Sequence, residues 1–141
     1  MPSALFDSSV YISALRQGRN TTISARRIAD GPLWLSAVVL GELYAGVQDR
    51  DLITIERMER DLHSARRILT PTFNDWTMAG RVLARLAAKY DYEKIGRARL
   101  TNDALIAMGA ARLNITVITF NARDFSRLAE FRSFQWQEAA F

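Results

Sequence analysis

The sequence predicts an α/β fold, a parallel sheet covered by helices. Short apolar runs alternate with stretches of helical periodicity, the pattern of successive βα units. The 141 residues, 49% of them hydrophobic, suit one domain with a single core over residues 1–141. No repeat or low-complexity segment interrupts the alternation.

Ser3 to Phe6 reads as a short buried strand ending at Asp7, and Ser8 or Ser9 as the cap of a helix through Tyr11, Ile12 and Leu15 to Gly18. A second helix is expected to close at residues 26–29. The turn "DGP" then leads into the strand "LWLS". Ser36 caps "AVVLGELYAGV", in which Glu42 falls within the first two turns. From Asp49, Leu52, Ile55, Met58, Leu62 and Ala65 recur at three- and four-residue steps among charges, which predicts an amphipathic helix. "ILTPTFND" supplies a short strand and turn, "WTMAGRVLARLAAKY" a helix, and "DYEKIGRARL", without a period, a loop. Thr101 and Asn102 are expected to cap "TNDALIAMGAARLN", which Asn114 ends. "ITVIT" is a β-branched strand and "NARDFSRLAEF" a short final helix.

Composition narrows the chemistry. The absence of cysteine excludes disulfides, thiolate catalysis and cysteine-ligated zinc or iron. The single histidine, His63, excludes a His-rich metal site, so acid–base or metal chemistry must rest on carboxylates. Of the 19 basic residues only Lys89 and Lys94 are lysine and the other 17 are arginine, in a chain of net charge +4. Arginine's planar fork suits phosphate, so the bias fits a nucleic-acid partner; a GC-rich genome favouring arginine codons explains it equally well. No apolar stretch reaches the roughly 20 residues of a membrane span, and the expected location is the cytoplasm.

Asp7, Glu42, Asp103 and the "TFNARD" turn all lie just after strands or near helix starts. In a parallel sheet such positions meet at the strands' carboxyl ends, where ligands bind. Carboxylates brought together repel, and some stay protonated unless a cation joins them. Mg²⁺ or Mn²⁺, which takes oxygen ligands and keeps several waters, suits a sparse acidic cluster.

"FDSSV", "SAVVLGEL", "TNDALIA" and "TFNARDF", in this order, resemble the PIN-domain nucleases and, more narrowly, the VapC-type toxins of bacterial toxin–antitoxin pairs. The resemblance runs from Ala4 to about Phe125. It implies an α/β/α sandwich with a central parallel sheet and a metal-dependent endoribonuclease that cleaves single-stranded RNA. It further implies a homodimeric, growth-inhibiting toxin neutralised by a cognate VapB-like antitoxin, meeting promoter DNA only through that antitoxin and having no membrane partner. Asp7, Glu42 and Asp103 match the family's metal-binding acids. The fourth position is offered by both Asn121 and Asp124; Asp124 is taken for its charge, with Thr119, Asn121 and Ser9 in support. Lys94, Arg97 and Arg99 stand just before Asp103, where they are candidates to hold RNA phosphates. Arg16, Arg19, Arg26 and Arg27 form another basic cluster.

Each acid also has an ordinary reading: Asp7 as a helix cap, Glu42 as a snorkelling surface residue, Asp103 and Asp124 as acids complementing helix dipoles. Trp34, Trp76 and Trp136 read as core and His63 as exposed. A haloacid-dehalogenase-like phosphatase would need a second aspartate where Ser9 stands, and a phosphoreceiver would need an early acidic pair and a late lysine. The remaining alternative is a degenerate PIN fold that binds without cleaving, against which the intact Asp7, Glu42 and Asp103 argue. Two apolar stripes, Leu52, Ile55, Met58, Leu62 and Leu43, Tyr44, Val47, are expected to form a groove for an amphipathic antitoxin segment.

Overall fold

The computed structural model describes residues 2–18, 31–91 and 97–140, with the backbone alone described at 97–99. Five strands alternate with six helices in this portion. They are β1 (Ala4–Phe6), α1 (Ser8–Arg16), β2 (Leu33–Ser36), α2 (Ala37–Gly46), α3 (Asp49–Ser64), β3 (Ile68–Leu69), α4 (Phe73–Tyr90), α5 (Arg97–Leu113), β4 (Thr116–Thr119), α6 (Ala122–Ala129) and β5 (Trp136–Glu138). The expected helix closing at residues 26–29, together with Arg19, Arg26, Arg27 and Lys94, lies outside the described residues.

All strands are parallel, in the order β3-β2-β1-β4-β5. The chain builds outward from β1 through β2 to β3, then returns to the other side of β1 with β4 and β5. The order therefore reverses between β1 and β4, where an open parallel sheet leaves a crevice at its carboxyl edge. Asp7 follows β1 and Thr119 ends β4, so the two flank that crevice. Leu5, Phe6, Leu35, Val117 and Ile118 are fully or nearly fully buried in the sheet.

Elements begin where local chemistry dictates. The Ser36 hydroxyl accepts from Val38 N at 3.2 Å and caps α2 as expected. Asp7, rather than Ser8 or Ser9, is the N-cap of α1 by backbone geometry, yet its side chain makes no capping bond. α4 starts three residues earlier than the periodicity suggests. Thr72 and Asp75 close a reciprocal capping box there and draw Phe73 to Asp75 into the helix. Consequently Trp76 sits on the first turn and is 55% exposed, not core. Arg97–Leu100 are helical rather than loop, so Thr101 and Asn102 lie inside α5 and do not cap it. Asn114 ends α5 in the left-handed conformation at φ 55°, as expected of asparagine. β5 carried no apolar alternation to reveal it; it forms because Val117, Ile118 and Thr119 of β4 offer a free ladder to residues 136–138. Trp136 is half-buried against the core, as is Trp34, and His63 is exposed.

The two apolar stripes are mostly core. Leu43, Ile55 and Met58 are buried, Tyr44, Val47 and Leu62 are half-buried, and only Leu52 is exposed. α2 and α3 are joined by Tyr44 Oη donating to Glu59 Oε1 at 2.5 Å. Glu130 accepts from both Lys89 Nζ and Tyr90 Oη, fastening the end of α4 to the end of α6.

Asp75 is buried and receives Arg112 Nε at 3.1 Å and Nη2 at 3.0 Å, while Nη2 also reaches Thr70 O at 3.3 Å. This fork ties the start of α4 to the end of α5. Arg112→Ala leaves a buried carboxylate without its cation. Because the Arg112 side chain is 33% exposed, the expected loss is about 2–3 kcal/mol, below the range for a fully buried pair. Urea unfolding measures it; a loss under about 1 kcal/mol would show that solvent already screens the pair.

Candidate functional site

The acids singled out in the sequence arrive from different elements. Asp7 follows β1, Glu42 lies on α2, Asp103 is on the second turn of α5 and Asp124 on the first turn of α6. Asp7, Asp103 and Asp124 are buried and Glu42 is half-buried. Asp103 sits within a run, Asp103–Ala110, that is buried throughout, so α5 runs through the interior and carries its carboxylate with it.

Neutral donors knit these acids together. Ser9 Oγ donates to Asp7 Oδ1 at 2.5 Å and Thr119 Oγ1 donates to Asp7 Oδ2 at 2.8 Å. Each hydroxyl is itself fixed by the turn after β4: Phe120 N donates to Ser9 Oγ at 3.2 Å, and Asn121 N to Thr119 Oγ1 at 2.7 Å. Asn121 Nδ2 donates to Asp124 Oδ2 at 2.9 Å and, more weakly, to Asp103 Oδ2 at 3.5 Å. Asn102 Nδ2 donates to Glu42 Oε2 at 3.4 Å. Thr119, Asn121 and Ser9 thus touch the acids directly. Asn102 was not expected in the site; its one signal is its place beside Asp103. Lys94 is outside the described residues, and Arg97 and Arg99 are placed by backbone alone on the first turn of α5, ahead of Asp103.

Burial pushes the Asp7 carboxyl above its ordinary value. The Ser9 and Thr119 hydroxyls oppose that shift, as do the nearby amides of Val10 and Ser9. Among the described residues no cation pairs with Asp7. Asp124 has one at its rim: Arg123 Nε lies 3.5 Å from Oδ1, but the Arg123 side chain is 71% exposed, and that buried oxygen accepts no hydrogen bond.

Four oxygen-donor side chains, with a buried carboxylate oxygen still lacking a hydrogen bond, fit a hard divalent cation. Among the described residues no three acids are already drawn into a metal-binding group; they meet through amides and hydroxyls. A groove of about 260 Å³ opens beside Glu42, between α1, α2 and the start of α3, lined in part by Ile12, Leu15, Leu43 and Val47.

The model of the PIN domain matches residues 4–131. The chain belongs to the PIN domain family. Comparison of the sequence with curated proteins gives no match. The fold of this PIN domain is similar to a chain of VapBC2 from Rickettsia felis, solved bound to a DNA fragment from its promoter (TM-score 0.69, 19% identity, 98% of this chain and 99% of that one). It is similar also to DNA-bound VapBC from Salmonella typhimurium (0.69, 18%, 98% of each chain). A third likeness is to VapBC-5 from Mycobacterium tuberculosis, a member of a toxin–antitoxin family (0.63, 22%, 99% of this chain and 100% of that one). The expected α/β/α architecture with a parallel sheet is therefore the observed one. Among the described residues no helix is long and apolar enough to cross a membrane.

In metal-free buffer the raised value of Asp7 gives a directional test. The folded protein holds the Asp7 proton more tightly than the unfolded chain does, so Asp7's contribution to stability falls as pH rises above the ordinary 3.8 through the raised value. Above that window the buried charge is a standing penalty. Asp7→Asn removes it and raises the melting temperature at pH 7, with the gain shrinking as pH falls toward 3.8. A variant that melts below the parent at pH 7 without metal contradicts this.

Proposed function

We propose that this PIN domain, residues 1–141, is a Mg²⁺- or Mn²⁺-dependent endoribonuclease that cleaves single-stranded RNA. In the cell it would act as a growth-inhibiting toxin in the cytoplasm, held silent by a cognate VapB-like antitoxin. The observation that carries the reading is the buried Asp7 at the sheet's carboxyl edge, held on both oxygens by hydroxyls with no cation beside it among the described residues. A structural acid cluster would be expected to pair with cations from its own chain, since an uncompensated buried charge is costly.

Asp7, Glu42, Asp103 and Asp124 would hold the ion, whose chemistry when bound is activation of water and neutralisation of phosphate charge. Ser9 and Thr119 fix the Asp7 carboxylate from both of its oxygens. Asn102 holds Glu42 toward α5. With their rotamers restrained by these bonds, the acids need little reorganisation to serve a ligand. Lys94, Arg97 and Arg99 precede Asp103 in the chain, and phosphate contact there would position RNA beside the acids.

The family and the fold likeness to VapBC structures support a partnered toxin, homodimeric and reaching promoter DNA only through its antitoxin. The groove beside Glu42 offers an antitoxin apolar contact next to the acids. A basic antitoxin side chain reaching them would compete with the ion by plain charge neutralisation.

Cleavage of a single-stranded RNA by the purified protein should require added Mg²⁺ or Mn²⁺. Asp7→Asn and Asp103→Asn should each lose about 100-fold or more while keeping the parent's circular dichroism. Co-expression with a small protein encoded beside this gene should relieve growth inhibition by the parent, with neither variant inhibiting growth. Near-parental cleavage by either folded variant sinks the assignment.

A further inference from the structure

One neutral side chain in the site touches two of its acids. Asn121 Nδ2 faces Asp124 Oδ2 at 2.9 Å and Asp103 Oδ2 at 3.5 Å. Ionised carboxylates only accept, so the carboxamide presents its nitrogen to them. The backbone N–H of the same residue donates to Thr119 Oγ1, whose own proton goes to Asp7 Oδ2. Asn121 therefore couples the Asp7 half of the site to the Asp103 and Asp124 half. It is also the N-cap of α6, yet its side chain makes no capping bond. The usual reason for asparagine at such a position is not in use here.

We propose that Asn121 is a positioning residue that holds Asp103 and Asp124 together in the ion-free protein, and yields that role when a divalent ion binds. The inference rests on the metal reading above. Two neighbouring carboxylates repel, and an amide offering each a proton offsets the repulsion with charge-assisted bonds. A divalent cation supplies the same compensation more strongly. The contribution of Asn121 is thus a property of the ion-free protein, whereas a residue needed only for packing or capping contributes equally with and without the ion.

Thermal unfolding of the full chain, stripped of metal and then with saturating Mn²⁺, separates these roles. Without metal, Asn121→Ala should melt about 5 °C below the parent, the scale of one charge-assisted bond in a domain of this size. Saturating Mn²⁺ should close most of that gap, so the Mn²⁺-induced rise is larger in the variant. Asn121→Asp, which adds a third carboxylate, should show a lower metal-free melting temperature than the parent and a larger Mn²⁺-induced rise. It provides the same comparison should the alanine variant fold poorly. A deficit of equal size with and without Mn²⁺, or none at all, overturns the proposal while leaving the metal reading intact. If Mn²⁺ raises the melting temperature of no protein, the parent included, the metal reading fails and takes this inference with it.

Discussion

The hydrogen bond from Thr119 to Asp7 joins the ends of the two strands between which the sheet reverses its order. Most of the site hangs from it. A carboxylate at the end of a central strand has left bulk water, and without partners it would cost the fold several kcal/mol. Thr119 supplies one hydroxyl proton and Ser9 the other, and both hydroxyls are set by backbone amides of the turn after β4. That turn, carrying Asn121 and then Asp124, is thereby fixed against Asp7. Parallel pairing of β1 with β4 is what makes the contact possible, since Phe6 and Ile118 stand in register one residue before it.

The donors to Asp7 differ from those to the other buried aspartates. Among the described residues Arg112 forks onto Asp75 among the helix ends, and Arg123 reaches Asp124 from the rim at 3.5 Å. Asp7 is given hydroxyls, while amides reach Glu42, Asp103 and Asp124. Hydroxyls stabilise a carboxylate without cancelling its charge. An arginine in their place would have satisfied Asp7 with a fixed positive charge. The Asp75–Arg112 fork thus serves the helices, while Asp7 at the sheet edge is held by hydroxyls alone among the described side chains.

Much of this was legible in the sequence because the decisive signals are local. Short apolar runs marked β1 and β2, and a β-branched run marked β4. Ser36 and Asn114 marked a helix start and a helix end, and the acids could be placed at the carboxyl edge once the strands were known to be parallel. What was missed depends on partners distant in sequence or on reciprocal bonds. The Thr72–Asp75 box shifted the start of α4 and left Trp76 outside the core. β5 has one half-buried and two exposed residues, so its pairing with β4 carries no hydrophobic pattern. The interior run of α5 is buried on every side and hides the periodicity that would have placed its first turn. The stripe on α3 was correctly read as amphipathic but wrongly read as open, because the core against which Ile55 and Met58 pack comes from elsewhere in the chain. Asn102 reaches Glu42 across 60 residues, and nothing local announces such a bond.

The central claim is that these acids form a cation site. Calorimetric titration of Mn²⁺ into the metal-free protein tests it without reference to any substrate. The account predicts saturable binding of stoichiometric character in the parent. Asp103→Asn should weaken it by more than the roughly 10- to 100-fold that follows loss of a mere outer-shell partner. Absence of saturable binding in the folded parent, or equal affinity in the folded variant, would contradict it.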